Sequence, residues 1–409
     1  MSDPTSYVVV GGGLAGAKAA EAIRAADADG TVTIVGAERR RPYERPDLSK
    51  AVLLGKKSAD ELYVHDEGWY GEHSVELLLG QRATAIDRDQ RRVTLADGRD
   101  LSYDRLLLAT GASPRRLNLP GADLPGVQYL RTAEDNQALA AALSGGSSVV
   151  VVGAGWIGLE VAAAAREQGL DVTVVEPQPT ALYGVMGQEV GEIWAQLHRD
   201  HGVDVRTGVQ AIAIREEGGR ARGVVLDNGQ VVSGDLVVVG VGAAPNLELA
   251  EAAGLVNGGG VPVDTRLRTR DPNIWAAGDI ALAENTWAGR SLRVEHWANA
   301  KNQGAFAGRS MTGSEDEWSD PPYFYTDQYD AGMEYWGWAD PRVDTVVLRG
   351  RPADGSYVAA WLSQDGNVDA AMHVNRWDDA DAVKALVQAK VALDVDRFRD
   401  ESVALTDLG

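Results

Sequence analysis

Two stretches of the chain repeat one design. "VVVGGGLAGAKAA", residues 8–20, and "VVVVGAGWIGLEVAAAA", residues 149–165, each run an apolar strand into a glycine turn and then into a helix of small residues. The first sets Gly11, Gly13 and Gly16 in G-x-G-x-x-G spacing around Leu14 and Ala15; the second sets Gly153, Gly155 and Gly158 around Trp156 and Ile157. In such a turn the first glycine permits the bend, the second lets backbone approach a pyrophosphate, and the third lets helix pack on strand. The helix N-terminus then faces the phosphates. A second strand follows each turn, residues 31–35 and 171–175. These lead to Glu38, 22 residues past Gly16, and to Glu176, 18 residues past Gly158. A carboxylate there accepts hydrogen bonds from a ribose 2′-hydroxyl and repels a 2′-phosphate, and no Arg or Lys occurs from Pro177 to Leu182 to receive one. The second turn is therefore expected to take NADH in preference to NADPH. The alternative is that Glu176 is a solvated strand-end residue, which leaves that choice open.

Composition narrows the chemistry. At 409 residues and 44% hydrophobic content the chain exceeds one ordinary core and suits two or three domains. It has no cysteine, which excludes a redox-active disulfide, a sulfenate and thiolate-ligated zinc or iron–sulfur clusters, so redox chemistry falls to bound organic cofactors. The six histidines, His65, His73, His198, His201, His296 and His373, show no metal spacing. His198 and His201, near the end of a helix, read as a surface pair. A net charge of −21 argues against nucleic acid, whose phosphates need a basic footprint. The acidity is concentrated late, with 20 Asp and Glu against 8 Lys and Arg in residues 310–409, and reads as a solvated face. No run approaches the about eighteen uninterrupted apolar residues of a membrane span, and "MSDPTS" enters a strand directly without a signal peptide, so a soluble cytoplasmic protein is expected.

The stretches between and after the turns suggest the domain plan. "RLLLATGASPRRLNLPG", residues 105–121, ends an apolar strand at Ala109, Thr110 and Gly111 and leaves through a proline; "DLVVVGVGAAPN", residues 235–246, repeats that exit around Gly242. "RDPNIWAAGDIA", residues 270–281, then leads apolar residues into Gly278 and Asp279, as though the first domain resumed. The expected fold is α/β, with two Rossmann-like dinucleotide-binding domains. The second, residues 113–243, is inserted in the first, residues 1–112 and 244–322. After about residue 322, apolar and polar residues alternate with turns at Asp354-Gly355 and Asp365-Gly366, and a helical stretch follows over residues 379–390. That is a small α+β C-terminal interface domain, residues 323–409, without a nucleotide signature.

Together, the first turn, Ala109-Thr110-Gly111, "GAGWIGLE" and "AAGDIA" resemble the two-dinucleotide flavoprotein reductases of the glutathione reductase class. "RPYERPDLSK", "GWIGLEVAA", "GVGAAPNLELAEAAGL", "VEHWANAKNQG" and "TDQYD", in that order over nearly the whole chain, are similar to NADH-dependent ferredoxin reductases of the putidaredoxin reductase type. Those enzymes serve Rieske dioxygenases and bacterial cytochromes P450. The resemblance implies FAD on the first turn, NADH on the second, and electrons leaving to a [2Fe–2S] ferredoxin, from a protein that is commonly a monomer. A rubredoxin or other small acceptor is the neighbouring possibility, and a slowly turning-over flavoprotein of the apoptosis-inducing-factor kind is a further one.

The resemblance also implies roles. Lys50 belongs under the flavin near its N5 atom, with Glu160 approaching from the nicotinamide domain; otherwise they are a loop cation and a solvated helix residue. Arg45 and Pro46 contact the flavin edge. Asp279, at the head of a helix after "AAGD", bonds the ribityl or pyrophosphate portion and can cap that helix at the same time. Trp297 shields the flavin or else packs in the core, and Trp156 serves mainly domain packing. Arg309, Arg290, Arg293, Lys301 and Arg39 to Arg41 are candidates for docking the ferredoxin, each otherwise a solvated charge.

Overall fold

The runs "YVVV" and "RLLL" are apolar at every position, which suits strands covered on both faces. In the computed structural model, which describes residues 4–408, they lie side by side within a five-stranded parallel sheet. Its order is Ile274–Ala276, Arg105–Leu108, Ser6–Val10, Thr31–Gly36, Val75–Leu79. Ser6–Val10 has a neighbour on each side, so the chain changes direction of winding at its C-terminal end, where the first glycine turn stands. Val9, Ile34, Leu106 and Leu107 are wholly buried; each large aliphatic among them stabilises the fold by about 1.5–3 kcal/mol.

This sheet belongs to a first unit made of the described residues through Glu44, with Asp60–Ser113 and Ala244–Pro322. The helix Trp297–Met311 lies along the helix Leu14–Ala26 because both surfaces are small. A Cβ on Gly304 would overlap the Ala15 carbonyl, and one on Gly308 would overlap the Ala19 carbonyl. The expected helix headed by Asp279 is corrected: only a three-residue 3-10 turn, Gly278–Ile280, forms there before the strand Ala281–Asn285. That strand's alternating burial and its pairing with Val261–Val263 and Arg290–Leu292 override a helical start.

The second unit contains Arg45–Ala59, Pro114–Ala243 and the chain from Tyr323 onward. Its parallel sheet runs Asp204–Thr207, Asp171–Glu176, Ser148–Val152, Leu236–Val239, Val127–Gln128. This is the first sheet's order with the place of Ile274–Ala276 taken by a short strand from earlier in the chain. Each unit also carries a three-stranded antiparallel sheet, residues 83–102 in the first and 211–233 in the second.

Contacts group the chain differently from composition in two places. Residues 45–59, expected with the first domain, cluster in the second unit because the buried Asn136 amide donates to the Leu48 carbonyl (2.6 Å) and Gln168 to that of Leu53 (3.2 Å). The C-terminal segment joins the same unit. Its five-stranded antiparallel sheet has the order Tyr323–Gln328, Ala331–Gly337, Val368–Val374, Ser356–Leu362, Thr345–Arg351. It packs on the helix Tyr183–Asp200, which is interrupted at Gly187 (φ 80°). There the Trp361 indole N–H donates to the Met186 carbonyl (3.3 Å). On the edge strand Thr345–Arg351, buried Arg349 donates to the carbonyls of Phe398, Asp400, Glu401 and Val403 and so pins the tail.

His198 corrects the expected surface pair. Its ring is fully buried, bonded through Nε2 to Gln328 Oε1 (2.8 Å) and through Nδ1 to the Tyr329 hydroxyl (3.2 Å), while His201 stacks on Tyr329 nearer the surface. Burial pushes the imidazole down to about 4, which outweighs the opposing bond to Gln328. The ring therefore stays neutral in the fold, while the unfolded chain takes up the proton near pH 6.5. Stability is lost as pH falls through the interval from about 6.5 to about 4, by about 2 kcal/mol at pH 5. Urea unfolding at pH 7 and pH 5 is expected to show a pH-dependent loss smaller by about that amount in His198→Gln than in the parent chain; equal losses refute it.

Candidate functional site

Helix ends leave backbone N–H groups without partners, which a side chain, water or a ligand can satisfy. Ala133–Gly145 does so with a capping box made by Thr132 and Asp135. The helices after the two glycine turns do not, and neither do Tyr183–Asp200 and Trp297–Met311, but only the first two begin at a glycine turn of dinucleotide spacing. Gly13 and Gly155 occupy their N-caps with no side-chain cap, and neither helix has an acidic residue in its first turn. Both are thus open to an anion, and a pyrophosphate satisfies them.

In the first unit, Gly11 adopts φ 136° and donates its N–H to the Val35 carbonyl (2.9 Å); a Cβ there would overlap the Ala109 carbonyl. A Cβ on Gly13 would meet nothing within 4 Å, so the turn presents bare backbone at that point. Glu38, past the end of the second strand, accepts from the Tyr43 hydroxyl (2.6 Å), which orients its carboxylate. Thr110 donates to the Asn246 carbonyl (2.7 Å) and accepts, through its own carbonyl, from the Asn246 amide (2.8 Å), so the strand exit at Ala109-Thr110-Gly111 is clamped. Gly278 (φ 77°) donates to Gln303 (2.9 Å), and a Cβ on it would stand 3.5 Å from that of Ala15. This brings buried Asp279 beside the first turn from far along the chain. An open helix end, a bare glycine and two carboxylates around it fit FAD.

In the second unit, Gly153 (φ 101°) and Gly158 repeat the geometry: a Cβ on Gly158 would overlap the Gly153 carbonyl, and Gly240 lies against Gly158 Cα. Glu176 accepts from the backbone N–H of Ala154 (2.7 Å) with one oxygen and of Gln178 (2.9 Å) with the other. Its carboxylate is therefore fixed against the turn where a ribose would sit. The Ala154 carbonyl accepts from Leu182 N–H (3.0 Å), so exposed Tyr183 and Val185 emerge near the turn that exposes Ile157. Trp156 packs edge-on to Trp194 (5.2 Å between centroids) and tilted against Phe324, in keeping with a packing role. Gly242 (φ 95°) accepts through its carbonyl from Arg115 N–H (2.9 Å). These residues fit NADH.

The same unit brings Lys50 and Glu160 together. Glu160, 5% exposed on the second-turn helix, pairs through Oε1 with Lys50 Nζ at 2.8 Å. Lys50 ends the 3-10 turn Pro46–Ser49, and the Arg45 guanidinium fixes that turn by donating to the Arg131 carbonyl (2.7 Å). Two residues that carried no expected role complete the shell: Ser49 donates its hydroxyl to Glu160 Oε2, and Thr326 donates to Oε1 (2.6 Å). Both stand in stretches quoted above, "RPDLSK" and "TDQYD". For Thr326 the usable signal was its i, i+2 spacing from Gln328, which sets two polar residues on one face of a strand; Ser49 carried none.

Trp297 begins its helix half-exposed in the first unit, with Lys301 Nζ 4.9 Å above its ring. Arg290 and Arg309 are exposed, whereas Arg293 is engaged by Glu295 and by the Asp279 carbonyl. Among the described residues, no helix is long and apolar enough to cross a membrane.

A pyridine nucleotide-disulphide oxidoreductase family model matches residues 5–304, and a reductase C-terminal model matches residues 323–409. The chain is 40% identical over 404 residues to the anthranilate 1,2-dioxygenase system ferredoxin–NAD(+) reductase component of Burkholderia cepacia, covering 99% of this chain and 98% of that one. Its fold is similar to the crystal structure of the ferredoxin reductase for the CYP199A2 system from Rhodopseudomonas palustris (TM-score 0.94, 36% identity, 99% of each chain). It is also similar to the reductase in a covalent putidaredoxin reductase–putidaredoxin complex (TM-score 0.95, 34% identity, 99% and 98% covered).

The Glu176 geometry gives a test. Glu176→Ala removes both the ribose acceptor and the charge facing a 2′-phosphate, so the ratio of kcat/KM for NADH over NADPH is expected to fall by about tenfold or more. An unchanged ratio in steady-state assays with the two nucleotides refutes the assignment.

Proposed function

Because this chain belongs to the pyridine nucleotide-disulphide oxidoreductase family and is a flavoprotein oxidoreductase using FAD and NAD(H), we propose that it passes electrons from NADH to a [2Fe–2S] ferredoxin. That ferredoxin supplies a Rieske oxygenase or a cytochrome P450. The observation that carries this reading is the pair of open glycine turns in a chain that, despite the family's name, has no cysteine. Electrons cannot pass through a protein disulfide and leave by way of the cofactor. Bound FAD supplies the two-electron to one-electron conversion that the pairing of nicotinamide with an iron–sulfur carrier requires.

The protein's own part is binding, orientation and charge placement. The first unit holds FAD through Gly11, Gly13, Gly16 and Glu38, with Asp279 added late in the chain. The second holds NADH through Gly153, Gly155, Gly158 and Glu176. Lys50 places a positive charge, and Glu160 holds it in one position. We assign residues 1–112 and 244–322 to FAD, 113–243 to NADH and 323–409 to an interface role. Trp297 serves as a ring at the flavin. The reaction draws on the cytoplasmic NADH pool, and the cytoplasm is where we place the protein.

The deciding experiment is anaerobic stopped-flow mixing with NADH or NADPH, followed by oxidised [2Fe–2S] ferredoxin. NADH is expected to bleach the flavin far faster than NADPH, and the ferredoxin to restore the oxidised spectrum. A flavin that NADH reduces but ferredoxins leave reduced refutes the carrier role.

Docking has its own readout. Exposed Arg290 and Arg309 offer positive charge on a chain of net charge −21. Replacing both by Glu is expected to raise the KM for ferredoxin several-fold and to flatten its salt dependence, with ferricyanide reduction unchanged. A KM that does not move places the partner elsewhere.

A further inference from the structure

Glu160 is the end of a longer chain of hydrogen bonds. Thr326 Oγ1, which donates to Glu160 Oε1 (2.6 Å), stands 3.2 Å from Gln328 Nε2; Gln328 Oε1 stands 2.8 Å from His198 Nε2; His198 Nδ1 stands 3.2 Å from the Tyr329 hydroxyl. Glu160, Thr326, Gln328 and His198 are all buried, and all five residues belong to the second unit.

The carboxylate at one end dictates the direction of every bond. An ionised carboxylate only accepts, so Thr326 spends its single proton on Glu160. Thr326 can then only accept from Gln328, which must turn its NH2 toward the threonine and its carbonyl toward His198. His198 must donate from Nε2, leaves Nδ1 as a lone pair, and accepts from Tyr329. One tautomer and one amide orientation satisfy all four bonds. Aligned donors of this kind polarise one another toward the acceptor at the end. Gln328 in the middle has no proton to pass on without becoming charged, so the chain holds and orients without conducting.

We propose that Thr326, Gln328 and His198 are positioning residues for the Glu160–Lys50 pair: the aligned array fixes Glu160 Oε1, and through it the Lys50 ammonium, for reaction at the flavin. This rests on the proposed function and on the role at the flavin that the family resemblance implies for Lys50 and Glu160. Ser49 holds the other carboxylate oxygen. Without the array, Glu160 keeps Lys50 and Ser49 but loses the donor that aims Oε1, and the rate of flavin reduction falls with little change in NADH affinity.

Two measurements on the holoenzyme test this. In spectra of 15N-histidine-labelled protein near pH 7, His198 is expected as the neutral tautomer carrying its proton on Nε2; a proton on Nδ1 overturns the array. In anaerobic stopped-flow, Thr326→Val is expected to slow the limiting rate of flavin reduction by NADH about tenfold while leaving apparent NADH affinity near that of the parent chain, with Tm lowered by the loss of the buried bonds. Thr326→Ser, which keeps the hydroxyl, is expected to restore the rate to within about twofold. Combining Thr326→Val with Glu160→Gln is expected to cost no more than Glu160→Gln alone, because the threonine acts through the carboxylate. Gln328→Met, one bond farther out, gives the same pattern with a smaller loss, which keeps the test open where Thr326→Val folds poorly. Losses that multiply in the double variant, or a Thr326→Val rate equal to that of the parent chain while Glu160→Gln is slow, overturn the proposal and leave the function standing. A Glu160→Gln rate equal to that of the parent chain overturns the Lys50–Glu160 assignment as well.

Discussion

A carboxylate taken out of water must find donors for its oxygens or lose its charge, and Glu160 finds them in two segments of the chain distant from its own. Ser49 and Lys50 come from residues 45–59, Thr326 comes from the first strand of the C-terminal sheet, and Glu160 itself stands on the helix of the second glycine turn. Breaking a buried pair by removing one partner costs about 3–5 kcal/mol, several times the ~0–1 kcal/mol that one surface ion pair contributes. The grouping of those segments in one unit therefore has an electrostatic cause as well as an apolar one.

The nucleotide turns follow the opposite logic. There the fold leaves donors unanswered: the helices of both glycine turns begin without side-chain caps, and Gly13 stands beside open space. A capping residue at each would be worth about 1 kcal/mol to the apoprotein. Leaving these ends open makes the holoprotein the more stable species, since a ligand that binds only the folded chain adds its own binding free energy to the fold. Stability and cofactor retention are thus linked at the same backbone amides.

Most of this plan was legible in residues adjacent along the chain. The two turns, their strands and helices, the acidic residues that follow and the sheet at the end are local patterns of period 2 or 3.6 with glycine punctuation, and the structure has them. What sequence alone did not show depends on partners distant along the chain. The burial of His198 depends on Gln328 and Tyr329; a histidine near a helix end carries no local sign of its environment. The strand after Asp279 depends on pairing with Val261–Val263 and Arg290–Leu292, while its composition, "ALAEN", favours a helix. Lys50 and Glu160 could be named from resemblance, but Ser49 and Thr326 converge on them only in three dimensions.

The interleaving of the two units bears on how the chain is made. Ribosomal synthesis delivers residues in order, and domains commonly fold as they emerge. Here the first unit's sheet lacks its edge strand Ile274–Ala276 until the whole second glycine turn and its sheet have appeared. The second unit, in turn, lacks the donor from Thr326 until nearly four-fifths of the chain has been translated. The sheet begun first is therefore completed after the second, whose strands are all made by Val239, and the Glu160 shell closes later than either.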